Sequence, residues 1–506
     1  MAQADLQCGD EPNRRADRPH TRPRLRGRGT ASPCLRARRR REGGRSGSGD
    51  RARRRSRGAD RSRSEAGRRL RPQGEHAPGR RGPQADRDRL HERRHRPFRP
   101  RVWDSHASER RGHGSHQRIG GVVGADVSPA EVERRYANVR EALARDGLDA
   151  VIVSGSEYSG FEGAVRYMSG FVIVHRYAYM LLPLEGDPSI VFPVEARYVG
   201  EHEKTWIDEQ VFVDAPGAWL RDRAADQGWG QVGVYGLDYV MTVRDYRALA
   251  DDGPELVPYD VEFDLARAVK SGEELASVRD SVRINAEGFW IFLDGFAAGR
   301  SEAELLAPCE QYFVEQGCGR LTMDMVLVGE NGEAEPEFRI ASGERRIREG
   351  DLVLPSLEIA GPGGHWVEVS RAVAAGGGAP GSEATRMLEA YEEYFEAARS
   401  ALRPGASAHD VHRAVSKGFS ERGYELGHVT GHSIGMTMIE FPKIGEGVET
   451  ELAENMVFSM HPHAISADGH ACLYMQDTWL VTPDGGEPLA GLPMQIFEGS
   501  ESRPDD

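Results

Sequence analysis

Lysine is absent from the first 120 residues of this 506-residue chain, which hold 35 arginines and 14 acidic residues, a net of +21. Apolar residues are too sparse there to build a core, so residues 1–125 are expected to form a disordered, arginine-rich tail. Arginine to the exclusion of lysine is how translated GC-rich DNA reads upstream of a true start, which would then fall at Val122, Val123 or Val127. A basic arm for nucleic acid and a targeting peptide are the other readings, and the scattered acidic residues speak against both. Taking +21 from the whole-chain net of −14 leaves −35 on residues 121–506. So acidic a surface argues against nucleic acid or anionic membranes as partners of that part.

Long hydrophobic runs are lacking as well. None approaches the length of a membrane span and no signal-peptide core is present, so a cytoplasmic protein is expected. Cysteine is scarce: of five, only Cys309, Cys318 and Cys472 lie beyond residue 121, without a C-x-x-C. That spacing excludes a disulfide framework and a structural zinc site and leaves three buried thiols.

From residue 128 on the chain is patterned throughout. Ser128, Pro129 and Glu131 read as a helix start, with serine as cap, proline at the first helical position and glutamate reaching back to the cap amide. This helix should run to Gly147. Strands are predicted at Leu148–Val153, Tyr179–Leu184, Ser189–Val194 and Val232–Val234, an alternation that fits an α/β domain over residues 128–265. Two further capping boxes, Ser271 with Glu274 and Ser301 with Glu304, open helices of a second domain over residues 270–497. Leu275, Val278, Val282 and Ala286 share one stripe of the first of these. Strands at Met323–Val328 and Leu352–Leu354, helices near Ser382–Leu402 and Ser407–Arg422, and strands at Met456–Met460 and Thr478–Val481 complete an α+β order.

The stretch Gly427–Glu440, G-H-V-T-G-H-S-I-G-M-T-M-I-E, resembles the H-x-x-G-H-G-I-G-L-x-x-H-E of the pita-bread enzymes, the creatinase, prolidase and aminopeptidase P family. The resemblance implies a creatinase-like amino-terminal α/β domain followed by a pita-bread catalytic domain. V-R-Y-M-S-G-F from Val165 is similar to a strand of the former. In the family's peptidases two divalent metals sit among two Asp, one His and two Glu. The frame of the first Asp, G-D-L-V-L-I-D-x-G, corresponds here to G-D-L-V-L-P-S-L-E, which puts Ser356 in its place. The second Asp, in G-D-I-T-R, matches Glu368 of V-E-V-S-R, with Arg371 three residues on. The ligand histidine matches His432, while the family's second histidine is replaced by Ile439. The two Glu positions fall on His461 of S-M-H-P-H and Gln476 of M-Q-D-T.

Two hard cations a few ångströms apart need several anionic oxygens to coordinate them and to cancel their repulsion. Ser356, His461 and Gln476 are neutral ligands at best, so the dinuclear site is expected to be lost. Glu368, His432 and His461 remain as a two-His, one-carboxylate set that suits a single divalent transition metal. Creatinase works on this scaffold without metal, but its proton-shuttling histidine has no counterpart here. Arg339 or Glu337 stands at that place, and residues 321–354 contain no histidine. Acid–base work is therefore assigned to His432 and His461, with Glu368 orienting the water. Arg176, in V-H-R-Y-A-Y, resembles in position an arginine that in creatinase reaches into the neighbouring subunit to hold a substrate carboxylate. Arg371, His428 and Glu358 are the other candidates for substrate binding. These residues imply a homodimeric hydrolase with no metal cofactor, cleaving a carbon–nitrogen bond in a small carboxylate-bearing amide, amidine or amino-acid derivative. Two alternatives stay open. One is an inactive pita-bread module that binds a peptide or protein; the other is a single-metal hydrolase or lyase, including an Xaa-Pro peptidase-like enzyme with a remodelled site.

Overall fold

The computed structural model describes residues 127–499, apart from 159, 319–323, 330–333 and 377–381. The arginine-rich segment and the readings placed on it lie outside these residues.

Helix α1 (Pro129–Asp146) starts at Ser128, whose side chain accepts from the Glu131 amide, and stops at Gly147 in the left-handed conformation at φ 71°. The reciprocal half of the expected capping box is absent. The Glu131 carboxylate is turned instead to Arg134 and Arg135, while the Ser128 amide donates to Glu273 Oε2. Strand β1 (Ala150–Ser156) follows, then α2 (Gly163–Ser169), β2 (Tyr177–Pro183), β3 (Ser189–Pro193), β4 (Glu209–Val213), α3 (Pro216–Gln227), β5 (Gln231–Tyr235), α4 (Val243–Ala250), β6 (Glu255–Pro258) and α5 (Asp260–Ala266). The sheet runs β4-β3-β2-β1-β5-β6; β2 is antiparallel to both neighbours, and β5 is parallel to β1 and β6. The V-R-Y-M-S-G-F segment, expected as a strand, is helix α2 ended by Gly170 at φ 71°. Its residues are nearly all buried, so no alternation of polar and apolar positions marks it in sequence.

The second half opens with α6 (Gly272–Asp294) and α7 (Glu302–Glu315), both with complete capping boxes from Ser271/Glu274 and Ser301/Glu304. Then come β7 (Met325–Gly329), β8 (Leu352–Ala360), β9 (Trp366–Val369), β10 (Ala372–Ala374), α8 (Ser382–Ala401) and α9 (Ala408–Glu421). Eight more strands follow: β11 (Glu425–Leu426), β12 (Gly431–Ser433), β13 (Glu440–Ile444), β14 (Val457–Met460), β15 (His463–Ile465), β16 (Cys472–Tyr474), β17 (Asp477–Thr482) and β18 (Gly485–Pro488), before the last, β19 (Ile496–Glu498). Strands β19-β10-β8-β7 form one sheet with β9 paired to β8, and β13-β12-β14-β17-β18 form another. Strand β8 is buried at all nine positions and continues beyond Leu354, the end expected from sequence, through Pro355 to Ala360. Cys309, Cys318 and Cys472 are buried and free. Among the described residues no helix is long and apolar enough to cross a membrane.

Candidate functional site

Four strands converge on one buried polar cluster. Strands β8 and β9 pair antiparallel with Glu358 directly opposite Glu368, and β12 pairs with β14 so that His432 faces Ser459. His461 follows β14, its amide bonded to the Thr430 carbonyl, and Gln476 precedes β17, bridged to Ser370. Glu368 is the hub: Oε2 accepts from Ser459 Oγ at 2.5 Å and Gln476 Nε2 at 2.8 Å, while Oε1 stands 3.5 Å from His432 Nε2. The Glu368 backbone amide donates to Thr478 Oγ1, which fixes β9 against β17.

On the other side of Gln476 lies Ser356. Its hydroxyl is 2.9 Å from both Glu358 Oε1 and Gln476 Oε1, and Gln476 Nε2 is 3.1 Å from that same Glu358 oxygen. One hydroxyl carries one proton, so Ser356 donates to only one of these oxygens. Both contacts are satisfied when Glu358 is a neutral acid that donates to Ser356, which donates onward to Gln476. Burial, reinforced by the charge of Glu368, pushes the Glu358 carboxyl well above its usual range in the same sense. Burial alone would raise Glu368 too, but His432, His461 and Ser459 outweigh it and hold that carboxyl low. Two carboxyls on neighbouring strands thus divide into one neutral and one ionised.

The histidines form a row of rings. His432 and His461 lie 4.9 Å apart, His461 and His428 likewise 4.9 Å, and His428 and His463 5.6 Å. Phe338 and Tyr474 close the row, 5.2 Å and 5.6 Å from His463. Burial depresses the basicity of His461, His428 and His463, the last to about 3. Nδ1 of His461 is buried without a hydrogen-bond partner.

The candidates from sequence are only partly brought together. Ser356, Glu358, Glu368, His432, His461 and Gln476 meet in the cluster, and His428 stands at its half-buried edge. Arg371 is a correction: Nε donates to Pro493 O, Nη1 to Ser370 O and Gln476 O, and Nη2 to Leu492 O and Asp477 Oδ2. All five donors are used inside the fold, which leaves none for a substrate anion. Arg176 lies apart from the cluster within its own chain, exposed, with its guanidinium 2.5 Å from Glu195. It is one of three described non-glycine residues with positive φ, at 61°. His463, two residues from His461 in S-M-H-P-H, carries a signal in sequence, whereas Ser459, Thr478, Tyr474 and Phe338 carry none.

The pair of divalent ions that the family resemblance implies does not fit these residues. Gln476 directs amide N–H groups at oxygens of both carboxyls, where a cation would need lone pairs, and Ser356 carries no charge. Glu368, His432 and His461 are the described residues whose ligand atoms gather as a metal site would require, all within 4.8 Å of one another.

Known proteins share this architecture. Residues 276–483 match metallopeptidase family M24, and residues 135–269 match the creatinase/prolidase N-terminal domain. The probable dipeptidase PepE of Mycobacterium tuberculosis is 30% identical over 396 residues, covering 74% of this chain and 99% of that protein. An uncharacterized peptidase of Bacillus subtilis, YqhT, is 24% identical over 377 residues, with 72% and 99% covered. Among solved structures, the prolidase from Thermococcus sibiricus superposes with a TM-score of 0.63 at 22% identity, over 73% of this chain and all of that one. The dipeptidase PepE from Mycobacterium ulcerans gives 0.61 at 22%, over 74% and 99%.

Proposed function

The chain belongs to metallopeptidase family M24 and is with it a hydrolase, and we propose that it cleaves a carbon–nitrogen bond in a small carboxylate-bearing amide, amidine or amino-acid derivative without the pair of divalent ions. The observation that carries this reading is the gathering of Glu368, His432 and His461 in a buried cluster from which the other anionic ligands are gone. Glu368 is the ionised group, held by Ser459 and Gln476 with one oxygen left over for a water. His432 and His461, to which the sequence assigned the protons, lie buried beside Glu368, so proton exchange with the substrate passes to His428, against His461 and more exposed than it, where burial keeps it a neutral base near pH 7. The substrate carboxylate is anchored by Arg176 from a second copy of the chain. Its exposure and its strained backbone support that role, since such strain is held where a side chain must be aimed. The expectation of wholly metal-free chemistry rested on the lost carboxylates, and their loss accounts for the missing pair alone.

A screen of Xaa-Pro and other dipeptides, N-acyl amino acids and small amidines supplies the test. On whatever substrate is cleaved, Glu368→Gln should lower turnover by about a hundredfold or more. Arg176→Ala should mainly raise KM, because an anchoring contact serves ground and transition states alike. Absence of turnover across the screen, or full turnover in Glu368→Gln, overturns the reading.

A further inference from the structure

We propose that this centre binds one divalent transition-metal ion, held by Glu368, His432 and His461. The inference rests on the reading of this cluster as the reacting centre and adds its cofactor. The first observation is a pair of facing acceptors. His432 Nδ1 is 3.0 Å from the Ser433 carbonyl, so in the neutral ring that nitrogen keeps its proton and Nε2 is the one that offers a lone pair. That lone pair stands 3.5 Å from Glu368 Oε1. Two acceptors that close require a positive species between them, a proton or a cation.

The third ligand points to the cation. His461 is 4% exposed and its Nδ1 has no hydrogen-bond partner, an arrangement that leaves a buried polar atom unsatisfied. One of its ring nitrogens lies within 4.8 Å of both other ligand atoms. Ligands at metal bonds of ~2.1 Å stand roughly 3.4 Å apart in a tetrahedral site, close to the distance between Glu368 and His432. Two imidazoles and one carboxylate suit iron, zinc or cobalt rather than calcium or magnesium.

The surroundings limit the site to one ion. Ser459 and Gln476 occupy Oε2 of Glu368 and leave Oε1 free, and the Ser433 carbonyl orients His432; both are supports that ligands of a metal need. Toward Ser356 and Glu358 the next oxygens are engaged by hydrogen bonds with Gln476, so a second ion has no anionic cradle.

Metal content decides the matter independently of turnover. Full-length protein stripped with chelator is titrated with cobalt(II), followed by its visible absorption, and protein grown in iron- and zinc-supplemented medium is assayed by elemental analysis. The expected result is about one equivalent in both, lost in His432→Ala and His461→Ala and kept in Glu358→Gln. Two equivalents, or less than a tenth of one, overturn the inference on the native protein alone, whatever the variants do. Hydrolysis by protein that binds no metal leaves the proposed function standing and sinks the metal site. One bound equivalent without turnover across the screen does the reverse.

Discussion

Glu274 shows how a residue chosen for a helix start also joins distant parts of the chain. Its carboxylate closes the capping box on the Ser271 amide at 2.9 Å and lies 2.5 Å from Arg134 Nη2 of α1. Burial alone would raise this carboxyl, but His365, Lys270 and Arg135 around it outweigh burial and hold it down to about 2. A depressed carboxyl contributes stability that is full above its unfolded value near 4.5 and is lost as pH falls from there toward 2. Glu274→Gln should therefore be less stable than the native protein at pH 7 by about 3 kcal/mol, the worth of a shift of this size. The deficit should shrink below pH 4.5, as read by denaturant unfolding across the range. A deficit independent of pH would show that the carboxylate's charge plays no part. At this scale sequence was a partial guide. His432 was legible because the glycines and serine of its motif surround it, and Ser356 and Gln476 because their neighbours matched a known frame. Arg371 was assigned to a ligand because a motif carries no record of whether an arginine's donors are already used, and here five internal acceptors use them.

The element that carries the two unequal carboxyls is the β8–β9 hairpin, and it is seated on α6. Asn285 of that helix donates to the Leu357 and Val367 carbonyls at 2.9 and 3.3 Å, one on each strand. At the hairpin's turn a Cβ on Gly361 would lie 2.0 Å from Ser281 Oγ and 2.8 Å from Ser281 Cβ. Gly361→Ala should then push the hairpin off the helix at a cost of about 1–3 kcal/mol, the usual range for an overpacked contact. Because Glu368 moves with the strand while His432 belongs to the other sheet, turnover should fall as well. An unchanged denaturation midpoint would mean that the turn can shift freely. The helices around this hairpin were legible from their caps, since Ser271 and Ser301 declare their first turns in four residues. The pairing of Glu358 with Glu368 was not, because the register of β8 on β9 depends on a turn whose tightness comes from packing against α6.

At the scale of the whole described molecule, a second buried charge cluster, besides that of Glu274, ties the amino-terminal half to the pita-bread half. Arg267, after α5, pairs with Asp264 at 2.7 Å and with Glu440 at 3.0 Å, and Lys270 reaches the second oxygen of Glu440 at 3.0 Å. Arg267 also donates to Thr437 Oγ1, and the Phe441 amide donates to Asp264. Next to this cluster Met436 belongs to the apolar core of the amino-terminal half. Partners some 170 residues apart leave no local pattern, so sequence revealed the two halves and nothing of the joint. Removing one member of a buried ion network costs about 3–5 kcal/mol, because the remaining charges stay buried without compensation. Glu440→Ala strands Lys270 and leaves Arg267 with Asp264 as its one carboxylate partner, at the place where the halves meet. Native protein should unfold in a single calorimetric transition over residues 127–499, whereas Glu440→Ala should lower that transition and split it in two. Tryptophan fluorescence assigns the parts, since Trp206, Trp219 and Trp229 report the first half and Trp290, Trp366 and Trp479 the second. A variant that still melts in one step at the native temperature would place the coupling in the apolar contacts around Met436 instead.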